Sequence, residues 1–256
     1  MNSSPVKTAN QTTVGTVPPF VNRQGDEDLF FLEQIKVMRA NFEYKVDTLK
    51  SKVIAITSAI AGEGKTFCAM HIAVNLASTG RKKILLIDAD LRKSDLSRNM
   101  GMQNAPGLSE FLTGTVNVKD IVHNSQVPGL YVIPTGSLPP EYSTKLLAGE
   151  EFSSFMKNLR GKTQKPDHAD EIFDQFIVVV DTPPVLVLAD TVTLREQMDG
   201  FLFVFRADYT PHSMLKKAVE EIGEEKIIGV VINGVEPKRD RYYKYYGKYY
   251  RDYYRK

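Results

Sequence analysis

Residues 52–66 read Lys52-Val53-Ile54-Ala55-Ile56-Thr57-Ser58-Ala59-Ile60-Ala61-Gly62-Glu63-Gly64-Lys65-Thr66. The opening run of Val, Ile and Ala, without polar alternation, predicts a strand over Lys52–Thr57 that is buried on both faces. Two glycines follow, and Lys65–Ser78 then carries the apolar periodicity of a helix. A strand, a glycine-rich turn and a helix opened by Lys-Thr are the context that a phosphate-binding loop requires. Gly62 and Gly64 let the chain turn tightly enough for backbone N–H groups to converge on an anion at the positive end of the helix. Lys65 then reaches the β- and γ-phosphates of a nucleotide, and the Thr66 hydroxyl is a ligand for Mg²⁺. The pattern GxxxxGK[ST] places glycine at position 59, where this chain has the small residue Ala59. A plain glycine turn would leave the Lys-Thr pair unexplained.

Further strands are expected at Lys83–Asp88, Tyr131–Pro134, Phe176–Asp181, Gly200–Arg206 and Ile227–Asn233, with helices at Thr144–Leu159 and Pro211–Ile222. Strands alternating with helices predict an α/β fold with a doubly wound, mostly parallel sheet flanked by helices, binding its ligand at the carboxyl ends of the strands. Two of these strands end on carboxylates. ILLIDADLRK leaves Asp88 and Asp90 at the end of the second, and IVVVDTPP leaves Asp181 at the end of the fourth. A charge closing an apolar run is costly without a partner, and Mg²⁺ or its waters would satisfy it. Asp181 therefore fits a Walker B role; helix or turn capping is the plainer alternative for each. Asn233 closes the last strand, where its amide suits the N6/N7 edge of adenine or simply an Asn-Gly turn. A GTPase would carry NKxD here, whereas the text is Asn233-Gly234-Val235-Glu236, so ATP is expected.

The chain has 256 residues, 42% apolar and 25% charged, which suits one folded domain with tails and excludes wholesale disorder. No apolar stretch approaches the ~18–20 residues of a membrane span, and MNSSPVKTANQ lacks an export signal's apolar core. The single Cys68 excludes an internal disulfide. Residues 1–25, rich in Ser, Thr, Asn, Pro and Gly, read as a flexible lead-in, and 26–237 as the folded domain. Within 26–49, Phe31, Ile35, Met38, Phe42 and Leu49 are spaced along one helical face. The polar insert Gly161–Asp170 reads as a surface loop. Residues 238–256 form a flexible basic tail, in which eight Lys or Arg against Asp240 and Asp252 leave +6. Eight of the chain's twelve tyrosines stand there in pairs: Tyr242 and Tyr243, Tyr245 and Tyr246, Tyr249 and Tyr250, Tyr253 and Tyr254.

A phosphate loop, IDAD-x-R at Ile87–Arg92, DTPP at 181–184 and a terminal tyrosine cluster together resemble the bacterial tyrosine kinases (BY-kinases) that regulate capsule and exopolysaccharide synthesis. The resemblance covers roughly residues 26–256. It implies a P-loop NTPase fold of the MinD/ParA-like type, and an ATP-dependent tyrosine autokinase working with Mg²⁺. The nucleotide would be held by Ala61, Gly62, Glu63, Gly64, Lys65, Thr66, Phe67, Arg206 and Asn233. The metal would be held by Thr66, Asp88, Asp90 and Asp181. Lys65, Asp88 and Asp90 would be catalytic, one of the two acids accepting the tyrosine proton, and the tail tyrosines would accept phosphate in trans. The family's ExxRxxRxN helix, which joins subunits into rings, corresponds to Glu33, Lys36, Arg39 and Asn41, with Lys36 in place of the first arginine. That exchange keeps the charge and loses the planar two-pronged donor. The resemblance further implies homo-oligomers, a tyrosine phosphatase, and a separate membrane-embedded activator of the polysaccharide co-polymerase type. The protein would then sit in the cytoplasm at the inner face of the plasma membrane, unless the chain is part of a longer membrane protein. Partitioning ATPases instead carry KGGxGK[ST], and the position of their signature lysine is Ile60 here.

The rival reading is an ATPase switch whose basic aromatic tail binds nucleic acid or an anionic membrane. Regularly paired tyrosines favour a multisite substrate, and nucleic acid is not the expected partner.

Overall fold

The computed structural model describes residues 15–16, 26–137, 140–161, 176–187 and 194–235. The tyrosine-rich tail, most of the lead-in and all but the first residue of the polar insert lie outside them.

The first helix, α1 (Asp26–Leu49), precedes a sheet of seven strands: β1 (Val53–Ser58), β2 (Lys83–Asp88), β3 (His123–Asn124), β4 (Leu130–Ile133), β5 (Phe176–Asp181), β6 (Gly200–Arg206) and β7 (Ile227–Asn233). Their order is β3-β4-β2-β5-β1-β6-β7, parallel throughout except for β3, which runs antiparallel to β4. The helices between them are α2 (Lys65–Ala77), α3 (Asp95–Asn99), α4 (Leu108–Leu112), α5 (Val118–Ile121), α6 (Ser143–Leu147), α7 (Glu150–Leu159) and α8 (His212–Ile222).

The two-residue period of a strand divides its side chains between the two faces. From β1, Ile54 and Ile56 join Phe42 and Val46 of α1, Ile72 and Leu76 of α2 and Leu96 of α3 in one buried layer. Val53 and Ala55 face the other way, into a layer with Leu108, Phe152, Phe155, Leu159, Ala218 and Ile222. Helices therefore cover both faces, and the central strands are apolar on both, as the unalternating runs predict.

Four sequence expectations change. The helix expected over Thr144–Leu159 is two, because the chain leaves helical geometry at Gly149, which caps α7 in an extended conformation. On α1, Leu49 is exposed and Val46 takes its place in the core, four residues after Phe42. The sheet gains β3, a two-residue antiparallel edge too short to leave a periodic signal. Gly15 and Thr16 of the lead-in bond to Asn124 O and Met100 O at 2.9 and 3.0 Å, so these two residues pair with the domain.

One carboxylate ties the start of the sheet together. Asp199 accepts the Lys52 and Val53 amides at 2.9 and 3.0 Å and pairs with Arg160 at 2.7 Å. Burial opposes its ionisation, but the two amides and the guanidinium outweigh burial and hold its carboxyl below the ordinary carboxylate range. A depressed acid contributes stability that is present above its unfolded pKa and is lost as pH falls through the folded one. Replacement of Asp199 by Ala is expected to lower stability by about 2–4 kcal/mol at pH 7. In denaturant titrations that difference should shrink below about pH 4, where the unfolded carboxyl takes up its proton.

Candidate functional site

Sheet register assembles the site. Asp88 of β2 lies directly beside Asp181 of β5, and Arg206 of β6 beside Asn233 of β7. Parallel strands end on one side, so acids 93 residues apart in the chain meet in one layer with the loop that leaves β1. After Asp181, Thr182 bonds back to Ile56 O through both its N–H and its hydroxyl, each at 3.1 Å, and the Thr57 hydroxyl donates to Pro183 O at 2.9 Å. The acid is thereby fixed against the root of the loop. Ala59 is fully buried behind the loop, which explains why a methyl group is accepted at the position the pattern gives to glycine.

Gly62 and Gly64 both adopt left-handed backbone, φ 85° and 93°, and Gly64 caps α2. A Cβ on Gly64 would stand 2.2 Å from Nδ2 of Asn233, so only glycine fits. Asn233 donates to Glu63 O at 2.9 Å, Arg206 to Gly62 O at 3.2 Å and Tyr209 to Ala61 O at 3.3 Å. The loop carbonyls are thus bonded on the side of β6 and β7, leaving the opposite side of the loop to its amides. The Phe67 ring packs beside His71 and Phe31, so Phe67 has only its backbone to offer the cradle.

Lys65 lies at the centre. Its ammonium donates to Asp90 at 2.9 Å and to the Thr66 hydroxyl at 3.3 Å, and stands 3.6 Å from Asp181. Burial works against its charge, but Asp181 and then Asp90 outweigh it and hold the ammonium above the ordinary lysine range. Lys65 is therefore charged at any physiological pH. Asp88, wholly buried, accepts the Ser97 amide at 2.8 Å and the Ser97 hydroxyl at 2.6 Å. Burial first, and the neighbouring Asp181 next, push its carboxyl above the usual range. Burial likewise pushes Asp181 up, against the pull of Lys65. Burial also raises the Cys68 thiol behind the loop to about 12, which removes it as a nucleophile.

Asp181 supplies the observation that bears on a metal. Both of its oxygens are sealed from water and accept no hydrogen bond, although Lys65 and Thr66 approach them. A buried carboxylate whose charge is met by the Lys65 ion pair keeps lone pairs that a hard cation can take. Among the described residues, no three Asp, Glu, His or Cys side chains form a ready metal cage. That fits Mg²⁺, which takes most of its oxygens from phosphates and water. Thr66 and Asp181 would hold it, with Asp90 once it releases Lys65 and the Lys93 amide; Asp88 accepts Ser97 through one oxygen and, at 3.3 Å, the Asp90 amide through the other.

Glu33 pairs with Lys36 at 2.6 Å and Arg39 with Glu43 at 3.0 Å, while Asn41 is exposed; all lie on α1. Ser97, Tyr209 and Thr210 touch the site and were missed in the sequence. Thr210 alone left a signal, standing just before the proline that opens a helix.

Residues 51–222 match the AAA domain family. The tyrosine-protein kinase YwqD of Bacillus subtilis is 34% identical over 217 residues, which cover 84% of this chain and 86% of that protein. The chain belongs to the bacterial tyrosine kinase family. EpsB of Ralstonia solanacearum is 31% identical over 213 residues, 82% of this chain and 26% of that protein, so this BY-kinase chain spans about a quarter of such a relative. The crystal structure of the VpsO kinase domain superposes with TM-score 0.68 at 28% identity, covering 82% of this chain and 98% of that one. MinD of Pyrococcus horikoshii, solved with Mg-ADP, superposes with TM-score 0.56 at 19% identity over 71% of this chain and 68% of that one. The BY-kinase fold is thus a MinD-like P-loop fold. No helix among the described residues is long and apolar enough to cross a membrane.

Proposed function

We propose that the chain is an ATP-dependent protein-tyrosine kinase that phosphorylates the tyrosine cluster 242–254 of a second copy. Similarity to named tyrosine kinases supports the class of reaction, and the grouping of Lys65, Thr66, Asp90 and Asp181 around one loop carries the reading.

Phosphoryl transfer asks the protein mainly for alignment and charge neutralisation. The loop amides and Lys65 hold the triphosphate, with Lys65 changing partners from Asp90 to the γ-phosphoryl oxygens. Thr66, Asp181 and Asp90 would hold Mg²⁺, which would supply further neutralisation of phosphate charge when bound. Asp88 or Asp90 orients the attacking phenol, whose ordinary pKa is ~10, and takes its proton as the phenol oxygen bonds to the γ-phosphorus and the bond from that phosphorus to the β–γ bridging oxygen breaks, with ADP as the leaving group. A raised carboxyl pKa, such as that of Asp88, suits a proton acceptor. Arg206 and Asn233, side by side at the end of the sheet, face the base of the nucleotide.

Each phosphotyrosine adds about −1.5 to −2, so four would bring the +6 tail to zero or below and loosen any assembly that it holds. The reading includes oligomers through Glu33, Lys36, Arg39 and Asn41, a membrane-embedded activator, an opposing phosphatase, placement at the inner face of the plasma membrane, and control of a capsular or exported polysaccharide.

The test mixes a Lys65→Met chain bearing the tail with an active chain truncated before residue 238, with Mg·ATP and an activator segment supplied. Mass mapping should find phosphate on Tyr242–Tyr254 of the inactive chain. Nucleotide hydrolysis with bare tail tyrosines would overturn the reading and favour the ATPase switch.

A further inference from the structure

Glu63 poses a problem within the proposed site. A carboxylate in the middle of an anion-binding loop would repel the triphosphate if its oxygens faced the cradle. They do not. The residue is wholly buried, and its two oxygens are turned onto separate donors, the Ile60 amide at 2.6 Å and the Thr210 hydroxyl at 2.5 Å. Thr210 is itself buried, at 7% exposure, and its amide bonds to Arg206 O at 3.2 Å across a turn in which Asp208 is left-handed, φ 55°. The same turn sends Arg206 and Tyr209 to loop carbonyls, but these contacts are longer and exposed to solvent. The short, water-excluded link is the one between Thr210 and Glu63.

We propose that Thr210 is a positioning residue for nucleotide binding, acting through the Glu63 carboxylate as a buried latch between the turn after β6 and the phosphate loop. Loss of the hydroxyl leaves one buried carboxylate oxygen without its donor, a state more costly than the hydrogen bond itself is worth. The side chain relieves it by rotating, which releases the Ile60 amide and turns negative charge toward the phosphates. The latch therefore acts on affinity for the triphosphate or diphosphate. It rests on the reading that this loop holds a nucleotide.

The test measures the dissociation constant of Mg·ADP by calorimetry, and KM and kcat for ATP, in Thr210→Val, Thr210→Ser, Glu63→Gln and the Thr210→Val/Glu63→Gln double variant. Valine keeps the shape and lacks the hydroxyl. It should weaken Mg·ADP by about tenfold or more and raise KM for ATP by more than it lowers kcat. Serine should restore affinity to within about twofold of wild type. Glu63→Gln carries no charge to turn toward the phosphates, and its Oε1 can accept the Ile60 N–H while its amide nitrogen donates to the Thr210 hydroxyl, so it should lose much less affinity than Thr210→Val, and in the double variant it should relieve part of the Thr210→Val loss. Unchanged affinity in Thr210→Val, no rescue by serine, or multiplied losses in the double variant would each overturn the latch alone. Should Thr210→Val fail to fold, Thr210→Ala against Thr210→Ser decides the matter. A wild-type chain that ignores Mg·ADP would overturn the nucleotide reading itself, and the latch with it.

Discussion

Replacement of Lys65 by Met should reduce tyrosine phosphorylation by about 10³-fold or more, read as phosphotyrosine on protein purified after expression and after incubation with Mg·ATP. The ammonium lies in a water-excluded pocket between Asp90 and Asp181, where a charge aimed at phosphate oxygens acts with little screening. The variant should also lose stability, because a single cation there faces three buried acids. Removing it leaves Asp90 and Asp181 uncompensated, at a cost of about 3–5 kcal/mol at pH 7.5. The sign of the pH dependence follows. Without Lys65 the carboxyl pKa values rise further above their unfolded values, so the native state binds protons more tightly and gains stability as pH falls. Thermal melting of the variant should therefore recover part of the deficit between pH 7.5 and pH 5.5. Wild-type labelling in Lys65→Met would dismiss the catalytic role, and a deficit that does not shrink at low pH would dismiss the electrostatic account.

Asp181→Asn should separate activity from stability. Labelling is expected to fall about 10²–10³-fold, since the amide cannot supply the negative oxygen that the metal site needs. The nucleotide-free protein should melt at the same temperature or a few degrees higher at pH 7.5. Both oxygens of Asp181 are buried without a hydrogen bond, and the pocket holds more negative than positive charge. A neutral side chain of the same shape relieves that repulsion, a trade common where function stores strain. The wild-type acid, with its pKa raised, destabilises the fold increasingly as pH climbs through the folded value; the variant should show a flatter profile from pH 5 to pH 8. Full activity in the variant, or a markedly lower melting temperature, would contradict this account.

Much of the site was legible because its chemistry sits on consecutive residues. Gly62, Gly64, Lys65 and Thr66 lie within five positions, so one loop conformation brings them together whatever surrounds them. Asp88, Asp90 and Asp181 could be read because a carboxylate that ends an apolar strand is unusual in its own right. Ser97, Tyr209 and Glu63's partner Thr210 gave no such signal. Each is a common polar residue whose role exists only through a tertiary neighbour, nine positions away for Ser97 and more than a hundred for Tyr209 and Thr210. The pairing of Asp88 with Ser97, which sets it apart from Asp90 and Asp181, is likewise invisible in IDAD, where the two acids look equivalent.

The sequence by itself determined the alternation of strands and helices, the phosphate loop, and the side of the sheet on which a ligand must lie, because those follow from local periodicity and backbone stereochemistry. It also determined the basic, tyrosine-rich composition of residues 238–256. Only the tertiary structure decided that β2, β5 and β1 lie side by side, that Asp88 and Asp181 stand in register, and that the turn after β6 closes on Glu63. Strand order and register are set by how two apolar faces pack against helices from distant parts of the chain, and no window of sequence contains both partners of such a contact.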